Sequence, residues 1–148
     1  MDIEEKLTLL DGRGSDSEYD AVKELSSSLG LEFPGLLLAK YRSSKKWGER
    51  LSCVYHASKY AVASQDAYEL AIEALKDKSK KVRYQACLLL ALAQKPTALK
   101  PLEVLLSNQD SSEDAKAAIE AIKLKNHNYF ADRDHSGMVK LNVQQYHS

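Results

Sequence analysis

Eight consecutive apolar residues at 86–93 constrain this chain more than any other feature. They extend a helical pattern that begins at Val82, with Ala86, Leu89, Leu90 and Ala93 recurring at three- and four-residue spacing. A helix that is apolar nearly all round has no face to give to water, so it must be covered on more than one side. Eight residues fall well short of the roughly 18–20 that a membrane span needs, and the chain has no longer apolar run. The segment therefore predicts the central helix of a layered all-α fold, and 148 residues are enough to build one core around it.

The flanking sequence supplies the covering helices. Ile3, Leu7 and Leu10 share a helical face that stops at Asp11-Gly12-Arg13-Gly14. Asp16 or Ser17 can cap the next helix, whose stripe is Ala21, Val22, Leu25 and Leu29 and which Gly30 ends. Phe33-Pro34 opens a third, with Pro34 in the first turn where the missing N–H costs nothing. A fourth starts near Trp47 or Gly48 and runs to about Val62; Trp47, Leu51, Val54 and Ser58 are expected to face the core, with Lys59 and Tyr60 exposed. Ser64 and Ser79 can cap two more, Pro96-Thr97 starts a seventh, and Ser111 or Ser112 caps an eighth bearing Ala115, Ala118, Ile119 and Ile122. After Asn126, the alternation in Met138-Val139-Lys140-Leu141-Asn142-Val143 predicts a small hairpin or extended tail packed on the last helix.

About eight helices joined by short polar turns make four antiparallel pairs. No single pair holds enough core to stand alone, so the pairs must stack. Leu75 and Leu106 are separated by the same interval as Ala86 and Ala117, which fits a repeated helix pair. Residues 64–95 resemble a HEAT repeat: Ala74-Leu75 closes the first helix, Asp77 sits in the turn, and Val82-Arg83 with Ala86 opens the second. The resemblance implies a short α-solenoid in which Asp77 and Arg83 brace the turn and link neighbouring repeats. Residues 96–125 are similar to a second, degenerate copy, with Glu113-Asp114 where Val-Arg would stand. The expected organisation is one domain over 1–148, with 126–148 as an extended tail.

Chemistry-bearing patterns are few. The spacing Asp132-x-Asp134-x-Ser136-Gly137 begins like a calcium loop, but the twelfth position is Val143 where a bidentate Glu is required, so a polar turn is the better reading. His56, His127, His135 and His147 form no metal-binding pair, and Gly12-Arg13-Gly14 follows no strand and is no phosphate cradle. Cys53 and Cys87 sit in apolar helical context, as buried thiols do. The acidic start, Met1-Asp2-Ile3-Glu4-Glu5, lacks the basic and apolar regions of a signal peptide. The expectation is a cytoplasmic protein without catalytic residues, cofactor, metal or small-molecule substrate.

Charge is zero overall but polarised along the chain. Residues 1–35 hold nine acids against three bases, whereas 36–100 hold thirteen bases against five acids. Such asymmetry steers charged partners onto one face. Lysines and arginines cluster around Trp47 and around the turn at 76–83, which suits phosphate backbones, but the neutral total and acidic first quarter speak against nucleic acid. A protein partner is the stronger expectation, with candidate contacts at Glu4, Glu5, Asp16, Glu18, Asp20, Arg42, Arg50, Lys59 and Tyr60. The segment at 50–60, the helix start at 82–87 and the stretch at 126–137 are similar to those of small bacterial HEAT-like immunity proteins of contact-dependent-inhibition and polymorphic-toxin systems. That resemblance implies a protein that covers the active site of a cognate toxin, a nuclease, with acidic side chains imitating phosphates; the alternatives are a HEAT-like scaffold or regulatory protein with no toxin partner, or a nucleic-acid-binding module that uses the basic middle segment.

Overall fold

A computed structural model describes residues 1–147. It contains α1 (Ile3–Thr8), α2 (Asp16–Leu29), α3 (Phe33–Ser43), α4 (Trp47–Ala57), α5 (Gln65–Ala74), α6 (Lys80–Ala93), α7 (Leu99–Leu105) and α8 (Ser112–Lys123). Short 3-10 turns follow α2, α4 and α8 and precede α7. The described residues contain no β-strand, so of the hairpin or extended tail expected near the end of the chain the hairpin does not form, and residues 138–147 run as a tail without regular structure.

Local chemistry sets most boundaries. The Ser15 hydroxyl accepts from the Glu18 N–H and caps α2, one residue before the position expected from sequence. Gly30 ends that helix at a positive φ of 54°, which a side chain rarely adopts. Ser64 caps α5 by accepting from the Ala67 N–H. Ser79 does not cap α6 through its hydroxyl; its own N–H donates instead to the Asp77 carboxylate at 2.9 Å.

The helices pair as α3 with α4, α5 with α6, and α7 with α8, and the pairs stack in register. First helices meet first helices (α3 on α5), and second helices meet second helices (α4 on α6 on α8). This places α6 between two neighbours in its own layer and over α5 in the other. From Gln85 to Ala93 every residue of α6 is buried, as an all-round apolar helix requires. Leu10, Leu25, Phe33, Leu37, Val54, Leu70, Leu89, Leu90, Leu102 and Phe130 are fully covered in one continuous core.

The turn between α5 and α6 ties three pairs together. The Asp77 carboxylate accepts from Arg50 of α4 (Nε at 2.8 Å, Nη2 at 3.2 Å) and from the Tyr41 hydroxyl of α3 at 2.7 Å. Burial alone would raise its pKa, but Arg50, the Ser79 N–H and Tyr41 outweigh that and hold it below the ordinary carboxylate value. Arg83 works in the other direction along the stack. Its Nη1 donates to the Asp77 and Lys78 carbonyls, and its Nε donates to the Ser111 hydroxyl at the start of α8 at 2.7 Å. Asp77 thus reaches back to the preceding pair and Arg83 forward to the following one.

Candidate functional site

Tyr19 on α2, Tyr55 on α4 and Tyr84 on α6 are each close to half exposed, at 46%, 47% and 42%. Helix burial patterns usually turn such large rings inward, so three of them on one layer need a cause. They line a single groove of about 1140 Å³, together with Val22, His56, Lys23, Lys59, Gln85 and Leu88, and residues 142–144 form its far wall. Tyrosine gives a large contact area for little lost side-chain freedom and is over-represented at binding interfaces.

The rings are held from beneath. The Tyr19 hydroxyl donates to the Tyr55 hydroxyl at 3.2 Å, and the two rings meet edge-on at 6.5 Å. That hydrogen bond, with burial, pushes the Tyr19 hydroxyl up to about 12. The His56 ring packs edge-on against both, at 5.6 Å from Tyr19 and 5.0 Å from Tyr55. His56 Nε2 in turn lies 2.8 Å from the Glu18 carboxylate, which also accepts from Ser52 Oγ at 2.7 Å and from the N–H groups of Gly12 and Gly14. Burial lowers the His56 pKa and Glu18 only partly restores it. Burial would raise the Glu18 pKa, but Ser52, His56 and the Gly14 N–H together bring it below its ordinary value. The consistent arrangement is an ionised Glu18 accepting from a neutral His56.

Glu18 therefore leaves the set of candidate contacts: only 2% of it is exposed, one carboxylate oxygen joins α2 to α4 through Ser52 and His56, and the other holds the Gly12 and Gly14 N–H groups. Gly12-Arg13-Gly14 does cradle an anion, but the anion is this internal carboxylate. Gly12 must be glycine, because a Cβ there would stand 2.1 Å from the Gly48 carbonyl oxygen at a φ of 84°. Tyr60 is a second correction. It is 1% exposed, packed against Phe33 and Tyr146, and cannot meet a partner. Arg50 is the third, since its guanidinium is occupied by Asp77 and the Ser44 and Lys45 carbonyls. Trp47, expected in the core, is 49% exposed with the Lys81 ammonium over its ring at 5.2 Å.

The remaining candidates stay on the surface but do not form one patch. Asp16 and Asp20 are exposed on α2, and Asp20 and Lys59 border the tyrosine groove. Glu4 lies elsewhere, beside Lys40, Lys45, Lys46 and Glu49; Glu5 is exposed on the same short helix. Arg42 makes a bidentate exposed pair with Glu73. At the turn edge, Lys45, Lys76 and Lys78 surround the Arg50–Asp77 pair.

Residues 36–123 of the sequence match HEAT repeats, a span that runs from α3 to α8. This chain belongs to the HEAT-repeat family. The match covers more than half of the molecule and all three stacked pairs, so the helical stack is a HEAT stack. Within it, Asp77 and Arg83 join neighbouring repeats, and the tyrosine groove lies on the layer made by the second helix of each repeat together with α2. No curated protein matches the sequence.

The groove was missed from sequence because Tyr19 and Tyr84 carry no local signal. Each lies beside core residues of its own helix, and only the stacking shows that they point the same way as Tyr55. No group of three or more His, Cys, Asp or Glu among the described residues is placed to hold a metal. The Asp132–Gly137 stretch is a turn whose acceptor is Asp132: its carboxylate takes the N–H groups of Ser136 and Gly137 and the Ser136 hydroxyl. No helix of the described residues is long and apolar enough to cross a membrane.

Proposed function

We propose that this HEAT-repeat protein is a non-catalytic binding module that takes a protein partner on the α2–α4–α6 face. The observation that carries the reading is the row of half-exposed tyrosines lining one groove, Tyr19 and Tyr55 held by each other and by His56, and Tyr84 packed on Phe130 at 5.3 Å. Rigid aromatic anchors give up little entropy on binding, which is how a modest surface reaches useful affinity.

The partner we propose is a cognate toxin domain, a nuclease, whose active site is covered sterically. Two features support this finer reading. One is the likeness of the segments at 50–60, 82–87 and 126–137 to small HEAT-like immunity proteins. The other is the exposed acidic pair Asp16 and Asp20 on the helix that carries Tyr19, which suits a basic substrate cleft. The test is titration of the chain with the product of the neighbouring gene at two salt concentrations. Asp16→Lys with Asp20→Lys is expected to weaken binding and to reduce its salt dependence together. Unchanged affinity in that variant rules out phosphate imitation.

One observation favours a second reading. Lys45, Lys46, Lys76, Lys78, Lys80 and Lys81 are all exposed at the turn edge, next to the exposed Trp47. Such an edge fits a nucleic-acid backbone, and steeply salt-dependent binding to duplex DNA or RNA would select it.

A further inference from the structure

The segment after the Asp132–Gly137 turn returns across the HEAT stack as a strap. The Leu141 N–H donates to the Asn128 side chain at 2.9 Å near one end. At the other end the Tyr146 N–H donates to the Lys59 carbonyl at 2.7 Å, and the Gln145 side chain bridges the Ser58 carbonyl and the Val62 N–H. The Tyr146 ring lies 5.0 Å from that of Tyr60. Between these anchors burial alternates: Leu141 and Val143 are half-buried against the core, and Asn142 and Gln144 are exposed. That is the period of a β-strand.

The strap has no neighbour to complete a ladder. Among the described residues, the N–H groups of Asn142, Val143 and Gln144 find no acceptor. The same three residues form a wall of the tyrosine groove. A lone extended segment with unpaired backbone groups is a template for another strand, and one beside an aromatic-lined groove can also hold that strand's side chains.

We propose that residues 142–144 recruit an extended segment of a protein partner by strand addition, with its inward side chains seated between Tyr55 and Tyr84. Resting on the α2–α4–α6 face as the partner site, the proposal specifies what enters it: a stretch of extended polypeptide carrying apolar or aromatic residues at alternate positions. Main-chain pairing to the strap supplies register, and the tyrosines supply selectivity for the alternate side chains. The Asp132 turn and the Tyr146–Lys59 bond keep the template taut before a partner arrives.

The experiment selects binders to the full chain from a displayed library of short random peptides, then follows amide hydrogen exchange of the complex. Slowed exchange at residues 142–144, with loss of at least about tenfold in affinity in Tyr55→Ala and Tyr84→Ala, is the expected result. Peptides that bind and need the tyrosines but leave those amides unprotected overturn strand addition while leaving the face as the binding site. Faster exchange along the strap overturns it too, because the segment is then a plug that the peptide displaces. Binding that is indifferent to both tyrosines removes the groove itself. Failure to select any peptide, or protection that appears only when two copies of the chain associate, overturns the proposal as well.

Discussion

At the residue scale, the molecule's character turns on a few polar side chains placed inside it. Glu18 and His56 are the pair most exposed to a change of pH. In the unfolded chain His56 takes a proton near its ordinary value of 6.5, whereas in the fold burial holds it lower. The unfolded state therefore gains protons first as pH falls, and stability present above about pH 6.5 declines below it. Glu18 and Asp77, both held below their ordinary values, add a further loss as pH drops through the acidic carboxylate range. His56→Gln keeps a donor for Glu18 and does not titrate. Its denaturation midpoint is expected to be flatter than that of the wild type between about pH 6.5 and pH 5, and an unaltered profile would mean that His56 is not the group responsible. Tyr60 gives a sharper contrast. Its hydroxyl is buried with no hydrogen-bond partner among the described residues. Tyr60→Phe should be neutral or stabilising, while Tyr60→Ala should cost about 3–5 kcal/mol in chemical denaturation.

At the element scale, the joint at the α5–α6 turn matters more than any one helix. Asp77→Ala takes the shared carboxylate from Arg50 and Tyr41; Arg50 keeps the Ser44 and Lys45 carbonyls and is only part-buried, so the expected loss is below the roughly 3–5 kcal/mol of breaking a fully buried pair. Arg83→Ala is expected to loosen the contact with Ser111 and so to speed amide exchange in α8 more than in α3. Uniform acceleration across the chain would contradict a joint that acts directionally. The joint was legible because Asp77, Val82, Arg83 and Ala86 match the pattern of a HEAT repeat, although the next copy keeps only the alanine, Ala117, and has Glu113-Asp114 in place of Val-Arg. Arg50 was not legible as part of it, since its partner lies one repeat away and nothing in the local spacing marks the pair. Trp47 and Tyr60 exchanged their expected places for a related reason. Helical periodicity gives a face but not its neighbour, and the 3-10 turn after α4 rotates Tyr60 inward while Trp47, at the first residue of α4, lies beyond the covering layer.

At the scale of the whole molecule, the stack sorts the chain into surfaces with different uses. Period, turn residues and the all-round apolar α6 were enough to read an all-α repeat stack from the sequence. The tyrosine groove was not readable, because Tyr19, Tyr55 and Tyr84 come from three separate helices and meet only when those helices are layered. The polarised charge also needed the fold: it divides into Asp16 and Asp20 near the tyrosines and a lysine edge at the turns, with Glu18 withdrawn to the interior. In the tail the strand-like alternation survives only over residues 141–145, where Asn142, Val143 and Gln144 wall the groove without pairing to a second strand.

Whether the tyrosine face holds the partner is decided by calorimetric titration of the neighbouring gene's product into the wild type and into Tyr19→Ala/Tyr55→Ala/Tyr84→Ala, with circular dichroism checking that the variant is folded. One-to-one binding of nanomolar strength that weakens by about a hundredfold or more in the variant, some 2.7 kcal/mol or above, is the expected result. Equal affinity of the two proteins would contradict it and move the interface to another surface of the stack, and no binding to either would remove that gene product as the partner.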